Sequence, residues 1–347
     1  MPGNGNLLTY SLAMKRLRRV FTFLTSDVIP RALGRVRAGK FRYKVSHPLG
    51  VPRSVETDFS VSVPFGYQGP PKTSRRPIGI VCHLFHADLA EWMFQALDRT
   101  AQPADVHIST DTREKADAIA KVFSRWGKGG VTIRIAENRG RDIAPKLITF
   151  ADIFGRYDLL LFLHSKKSPH YRFGEAWRDY LVRSLTGSPA VVNSILEVFD
   201  TCPLVGMVFP QHYPELRAAA GIDWAANFRR ARRLAWRMDI DLSESGYLDM
   251  PSGSMFWARP AALGPILRLG LRPQDFPPEP CHWDGTIAHC IERLFLFSCE
   301  KAGYTWLKVV PERHTDERAV RIEGPADIAS FVVEHRFDLL GADGNHR

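Results

Sequence analysis

Two apolar runs in residues 131–170 each end in a burst of charge, and these forty residues carry the densest chemistry of the chain. VTIRI leads into Glu137-Asn138-Arg139-Gly140-Arg141-Asp142, and DLLLFLH leads into His164-Ser165-Lys166-Lys167-Ser168. Clustered guanidinium and ammonium groups suit a phosphorylated ligand, because charge-assisted hydrogen bonds to phosphate oxygens are shorter and stronger than neutral ones. Asp142, set beside a glycine and two arginines, has the context to accept hydrogen bonds from the base or ribose of a nucleotide. Asp111 shares that possibility, although in STDT it equally suits a helix cap. Gly140 lets the backbone approach a ligand or take positive φ. His164 and His170 bracket the lysine pair, while His83 and His86 are three residues apart with no carboxylate triad beside them. That spacing suits substrate contact or a core hydrogen bond better than a metal.

Such residues need elements to hold them. IGIVCHLF, ADVHIST, VTIRIAE, DLLLFLH, GMVFP and TWLKVVP read as strands. Helix-like stretches lie at ADLAEWMFQALDRT, 113–126, 143–154, 176–184, 190–200 and 285–302. SGSMFWARPAAL reads as a strand running into a helix start. Strand–helix alternation of this kind predicts a mostly parallel central sheet flanked by helices. In an open sheet of that class, ligands bind beyond the carboxyl ends of the strands. The two charge bursts occupy such ends.

Bulk properties narrow the field. The chain has 347 residues, 45% of them hydrophobic, enough for one large α/β domain or two modest ones. It contains no apolar run of about 18 residues, as a spanning helix needs. No secretory signal pattern is visible either. Cys82, Cys202, Cys281, Cys290 and Cys299 show no CxxC or CxxH spacing, which points to a reduced, cytoplasmic protein without a disulfide framework or zinc site. The net charge is +10, yet residues 1–56 hold eleven basic residues against Asp27 and Glu56, so +9 of it sits in an N-terminal arm. The remainder is nearly neutral, which excludes a broad nucleic-acid-binding face. Within the arm, LLTYSLAMKRLRRVFTFLT forms a basic amphipathic pattern that either lies on an anionic inner membrane or packs on a protein surface. Residues 45–76, rich in Pro, Ser and Gly, read as a linker or extended wrap. The expected organisation is residues 1–76 as basic arm and linker, 77–330 as a single catalytic-type domain, and 331–347 as a tail.

In their order, ENRGRDIAP, DLLLFLHSKKSPH, GMVFP, PSGSMFWARPAAL and DGTIAHCIERLF resemble the rhamnan synthesis protein F family over about residues 78–311. That resemblance implies a glycosyltransferase of bacterial cell-surface polysaccharide assembly, with dTDP-rhamnose as the suggested donor. A more distant similarity is to inverting nucleotide-sugar transferases of the GT-A fold, implying a GT-A-like α/β domain. Their ordered sites would correspond to Asn138-Arg139-Gly140, His164-Ser165-Lys166, Ser252-Gly253-Ser254, Trp283-Asp284-Gly285, and Pro311 with His314. One departure stands out. The Asp-x-Asp that holds a divalent ion in those enzymes is absent, with His164 and Lys166 in its place.

The resemblance implies a donor half made of Asn138, Arg139, Gly140, Arg141, Asp142, His164, Ser165, Lys166 and Lys167, with Arg139, Arg141 and the lysines clamping the diphosphate. An acceptor half would use Ser252, Gly253, Ser254 and Trp283. Asp284 would be the general base of an inverting displacement, against the plainer reading of a carboxylate capping the next helix; Glu279 and Glu292 are its substitutes. Manganese or magnesium dependence stays open, with His314 the residue in a metal- or phosphate-contacting place. The acceptor would be a glycan or lipid-linked glycan, met at the membrane through the basic arm. The competing reading is a non-catalytic sugar- or nucleotide-binding module, for which the missing Asp-x-Asp is the best argument.

Overall fold

The computed structural model describes residues 50–67, 78–100, 102–167, 172–220, 222–282 and 284–341. The amphipathic pattern of the arm, His170 and Trp283 lie outside the described residues. In chain order the strands and helices are β1 (Val51–Pro52), β2 (Ser60–Val63), β3 (Ile78–His83), α1 (Ala90–Leu97), β4 (Ala104–Thr110), α2 (Arg113–Phe123), β5 (Val131–Ile135), β6 (Leu160–His164), α3 (Gly174–Thr186) and α4 (Pro189–Thr201). There follow β7 (Val205–Pro210), α5 (Pro214–Ala220), α6 (Phe228–Trp236), β8 (Tyr247–Leu248), β9 (Phe256–Ala258), α7 (Gly264–Leu267), α8 (Ile287–Lys301), β10 (Thr305–Pro311), β11 (Ala319–Val320) and α9 (Pro325–Glu334).

Nine strands form one sheet in the order β11-β2-β10-β7-β9-β6-β3-β4-β5. Only β9 runs antiparallel to its neighbours, β6 and β7. The mixed α/β fold with a large, mostly parallel sheet is therefore as expected from the strand–helix alternation. Its central strands are apolar on both faces because helices cover both. Alternation along β6 shows the division: Leu161 and Leu163 join the core under α1–α4 and α9, whereas Leu160 and Phe162 join the core under α6–α8. Local signals also hold. Thr112 accepts a hydrogen bond from the Lys115 N–H to cap α2, and Ser188, followed by Pro189, caps α4 in the same way.

One expectation is refined and one changes. Within residues 45–76, read as a linker or extended wrap, Ser60–Val63 is a fully buried strand between β10 and β11; four residues of alternating Ser and Val are too short a signal against Pro-rich flanks. The stretch 143–154 is not one α-helix. It forms a π-helical turn at Pro145–Thr149 and a 3-10 turn at Ala151–Arg156. Pro145 lacks a backbone donor, and Lys146 within the widened turn has its long side chain inside the core.

Strand order decides where a ligand can sit. From β3 the chain steps outward to β4 and β5, then returns to place β6 on the other side of β3. The crevice between the carboxyl ends of β3 and β6 is thus the switch point of the sheet. His83 and His164 end those strands in register with each other.

Candidate active site

His164 is the centre of the arrangement at the switch point. Its Nδ1 lies 3.1 Å from Asp142 Oδ2, and its Nε2 is buried with no hydrogen-bond partner. Burial pushes the imidazole pKa down, with Asp142 working the other way, so the ring is neutral near pH 7. A carboxylate only accepts, which places the proton on Nδ1 and leaves a lone pair on Nε2. Burial works to raise the Asp142 carboxyl, but His164 and Lys146 outweigh it and hold it well below the usual carboxylate range.

Lys146 is the counter-ion of Asp142. Its Nζ is 3.1 Å from Asp142 Oδ2, donates to the Ser254 carbonyl, and lies 5.2–5.9 Å from the ring centres of Phe256, Phe295 and Phe162. The side chain is only 1% exposed, and burial lowers its pKa against the pull of Asp142. This lysine was missed in the sequence. Its signal was a lone cation in the apolar run IAPKLITF.

Above this base, Arg141, Lys166, Gly253, Ser254, His289 and Glu292 line a cleft together with Asp142 and His164. The Lys166 ammonium stands 3.9 Å from the centre of the Trp177 ring, and burial lowers its pKa against Glu292 and Asp142. Glu292 Oε1 accepts from the Gly253 N–H at 3.1 Å. Two non-glycine residues of this wall are left-handed, Arg141 at φ 56° and Ser254 at φ 54°. Each costs about 1–2 kcal/mol, a strain that native proteins keep chiefly where function requires the geometry. Gly140 is needed where it is: φ is +66°, and a Cβ would come within 2.4 Å of Phe276 Cδ1.

Of the residues expected in the donor half, Arg141, Asp142, His164 and Lys166 meet in this cleft. Gly140 shapes the turn beneath it. Ser165 instead fastens the loop after β3, its Oγ accepting from the His86 N–H at 2.9 Å. Lys167 is exposed and paired with Asp88 at 2.6 Å. Arg139 bonds Glu137 and the Phe276 carbonyl and faces a second groove, outside this cleft, while the Asn138 carbonyl accepts from the Glu279 N–H. In the acceptor half, Gly253 and Ser254 reach the cleft. Ser252 points the other way, its Oγ 3.0 Å from His212 Nδ1.

Asp284 is not the cap of the following helix. The cap of α8 is Thr286, and the Asp284 carboxylate accepts from Asn227 Nδ2 at 2.8 Å and the Ala226 N–H at 3.3 Å. It is not among the residues lining the cleft; Glu292, on the second turn of α8, is. His314 is exposed and sets its ring against Tyr180, 5.1 Å between centres.

Behind Ser252 lies a buried ionic network that sequence reading missed. Lys308 Nζ is 2.8 Å from Asp58 Oδ1 and 2.6 Å from Asp249 Oδ2, and His212 Nε2 is 2.9 Å from Asp249 Oδ1. Arg217 also pairs with Asp58. Burial would raise the Asp249 carboxyl, yet Lys308 and His212 bring it down strongly. Among the described residues, Asp58, His212 and Asp249 have the spacing to hold a metal ion. The donor set does not fit one as it stands, because the Lys308 ammonium already occupies the space between the two carboxylates. The signal was a lysine inside the apolar strand TWLKVVP.

A family model described as rhamnan synthesis protein F matches residues 59–304. The chain belongs to that family. Among curated proteins it is 34% identical over 228 residues to the uncharacterized protein WxcX of Xanthomonas campestris pv. campestris (strain B100), and 33% identical to WxcX of strain ATCC 33913. The matched region is 65% of this chain and 32% of those relatives, so the chain spans about a third of their length. Among solved structures, a 4-diphosphocytidyl-2C-methyl-D-erythritol synthase aligns with 75% of this chain and 98% of its own at 12% identity and a TM-score of 0.32, a likeness on which nothing further rests. The matched family region contains the cleft and begins with β2, but stops short of β10 and Lys308.

Proposed function

We propose that this member of the rhamnan synthesis family transfers a sugar, rhamnose from dTDP-rhamnose being the leading candidate, from a nucleoside diphosphate donor to a growing cell-surface or lipid-linked glycan, with inversion. The observation that carries the reading is the cleft at the β3/β6 switch point, which Arg141 and Lys166 line together with an imidazole whose Nε2 has no hydrogen-bond partner among the described residues. Arg141 and Lys166 bind the diphosphate and stabilise the charge that grows on it as the bond from the anomeric carbon to phosphate breaks. The acceptor oxygen forms the new bond to that carbon, and its proton passes to a base. His164 suits this role better than Asp284. Its Nε2 lone pair has no hydrogen-bond partner among the described residues, so a shift of the cleft wall that admits the acceptor hydroxyl would let it take the proton, and Asp142 orients the ring and stabilises the imidazolium that forms. Glu292 is the alternative base on the same wall. Asp284 instead joins α8 to α6.

The carboxylates here do not suit a divalent ion. Asp142 already holds both Lys146 and His164, and Lys166 supplies the positive charge that a metal would bring. The reading therefore expects transfer that survives chelation. It is tested by incubating the protein with dTDP-rhamnose and a rhamnan or lipid-linked acceptor, with and without EDTA, and measuring dTDP release and labelled glycan. Activity lost in EDTA and restored by manganese would overturn the cation-clamp mechanism. Donor binding without dTDP release or glycan labelling would favour a non-catalytic binding module. The basic arm at residues 1–56 would hold the protein at the inner leaflet, on the cytoplasmic side where such donors are made; no helix among the described residues is long and apolar enough to cross a membrane.

A further inference from the structure

Helix α6, FRRARRLAW, presents two opposed faces. Phe228, Ala231, Leu234 and Ala235 are buried against α8 and its core. The outer face carries Arg229, Arg232, Arg233 and Arg237 with Trp236 among them, at the i, i+3, i+4, i+7, i+8 spacing of one helical stripe. Trp236 is 76% exposed, whereas Trp126, Trp177, Trp224, Trp257 and Trp306 are each at most 7% exposed and Trp92 is half-buried. The Arg232–Asp241 pair, 3.7 Å apart and open to water, neutralises little, and Arg237 keeps its charge while donating to the Leu269 carbonyl.

From this face we infer a docking surface for an anionic lipid bilayer. An indole with an apolar body and a polar N–H settles at the boundary between headgroups and acyl chains. Arginines around it meet the negative surface potential, and their stems lie along the apolar layer while the guanidinium groups stay at the phosphates. An exposed tryptophan on a helical stripe with four arginines has both parts of that chemistry, and the charge complementarity selects an anionic surface over a neutral one. The helix is also tied to the cleft wall. Asn227 and Arg230 bond Asp284 and the Gly285 carbonyl at the start of α8. Docking would thus fix the orientation of the cleft relative to the bilayer, whatever reaction it performs.

The test uses the full chain with vesicles of phosphatidylcholine alone or with one-quarter phosphatidylglycerol, part of the phosphatidylcholine being brominated. Binding to the anionic vesicles should quench tryptophan fluorescence, and Trp236→Phe should remove that quenching while the fold, followed by circular dichroism, is unchanged. Replacing Arg229, Arg232 and Arg233 together with Gln should weaken partitioning on the order of a hundredfold at low salt, about fivefold for each charge. The triple arginine variant leaves the arm's own charges unchanged, so its loss of partitioning reports on α6. Equal quenching in Trp236→Phe, unchanged partitioning of the triple variant, or α6-dependent binding to heparin or single-stranded nucleic acid with none to anionic vesicles would each overturn the inference.

Discussion

Replacing Lys308 with Met removes the ammonium that sits between two buried carboxylates while keeping most of the side-chain volume. Asp58 retains Arg217, so the charge left exposed to a low-dielectric surrounding is mainly that of Asp249, which is 1% exposed. Removing one partner of a buried ion pair costs about 3–5 kcal/mol. For a domain of this size each kcal/mol moves Tm by about 2 °C, so Lys308→Met should melt about 6–10 °C lower at pH 7.5. Two further signatures identify the cause. With Lys308 gone, His212 gains affinity for a proton beside Asp249, so the deficit should shrink as pH falls toward 5.5. The double variant with Asp249→Asn should also recover part of the loss. Calorimetry in EDTA across that pH range is the assay. If the wild type loses stability in EDTA while Lys308→Met loses less than about 2 °C, a metal and not the lysine organises the site. Adding millimolar manganese should raise the Tm of Lys308→Met, whose Asp58, His212 and Asp249 are then open to a cation, and leave the wild type unmoved.

Other perturbations report on separate parts of the fold. Burial raises the Glu300 carboxyl to about 7, partly countered by the N–H groups of Leu339 and Leu340 and by Trp306. A carboxyl raised in the native state gives stability that is full below the unfolded value near 4.5 and is lost as pH rises through about 7; the wild type should lose about 3 kcal/mol over that window, and Glu300→Gln should flatten the slope seen in denaturant titrations. Gly140→Ala should cost about 2–5 kcal/mol from left-handed strain and overlap with Phe276, whereas Gly127→Ala, with nothing within 4 Å, should change the denaturation midpoint little. If His164 is the base, glycan transfer should show an acid limb below pH 6.5, because burial lowers its pKa, and His164→Gln should abolish the transfer while donor binding remains; an unchanged pH profile in that variant would move the role to Glu292.

Strand positions and the switch-point crevice were legible because parallel strands buried on both faces leave continuous apolar runs, and because charge after such runs marks their carboxyl ends. Arg141, Asp142, His164 and Lys166 could be read together for that reason. The rest depended on packing. Nothing local distinguishes Lys166 from Lys167, yet one stacks on Trp177 and the other pairs with Asp88 at the surface. Asp284 looked like a cap or a base, but the partners that claim it, Asn227 and Ala226, are more than fifty residues away. The Asp58–His212–Asp249–Lys308 network joins four distant segments. Its only sequence trace is a lysine inside an apolar strand, as Lys146 was in an apolar turn.

Binding and turnover of a nucleoside diphosphate sugar test the central claim most directly. Measured by thermal shift in EDTA and by release of labelled dTDP, dTDP-rhamnose should raise the wild-type Tm, by about 2.7 kcal/mol of stabilisation at a hundredfold excess over Kd. A glycan acceptor should then trigger dTDP release. Lys166→Met combined with Arg141→Gln should lose both the shift and the release. The account is contradicted if that double variant binds and turns over the donor as the wild type does, or if no nucleoside diphosphate sugar shifts the wild-type melt.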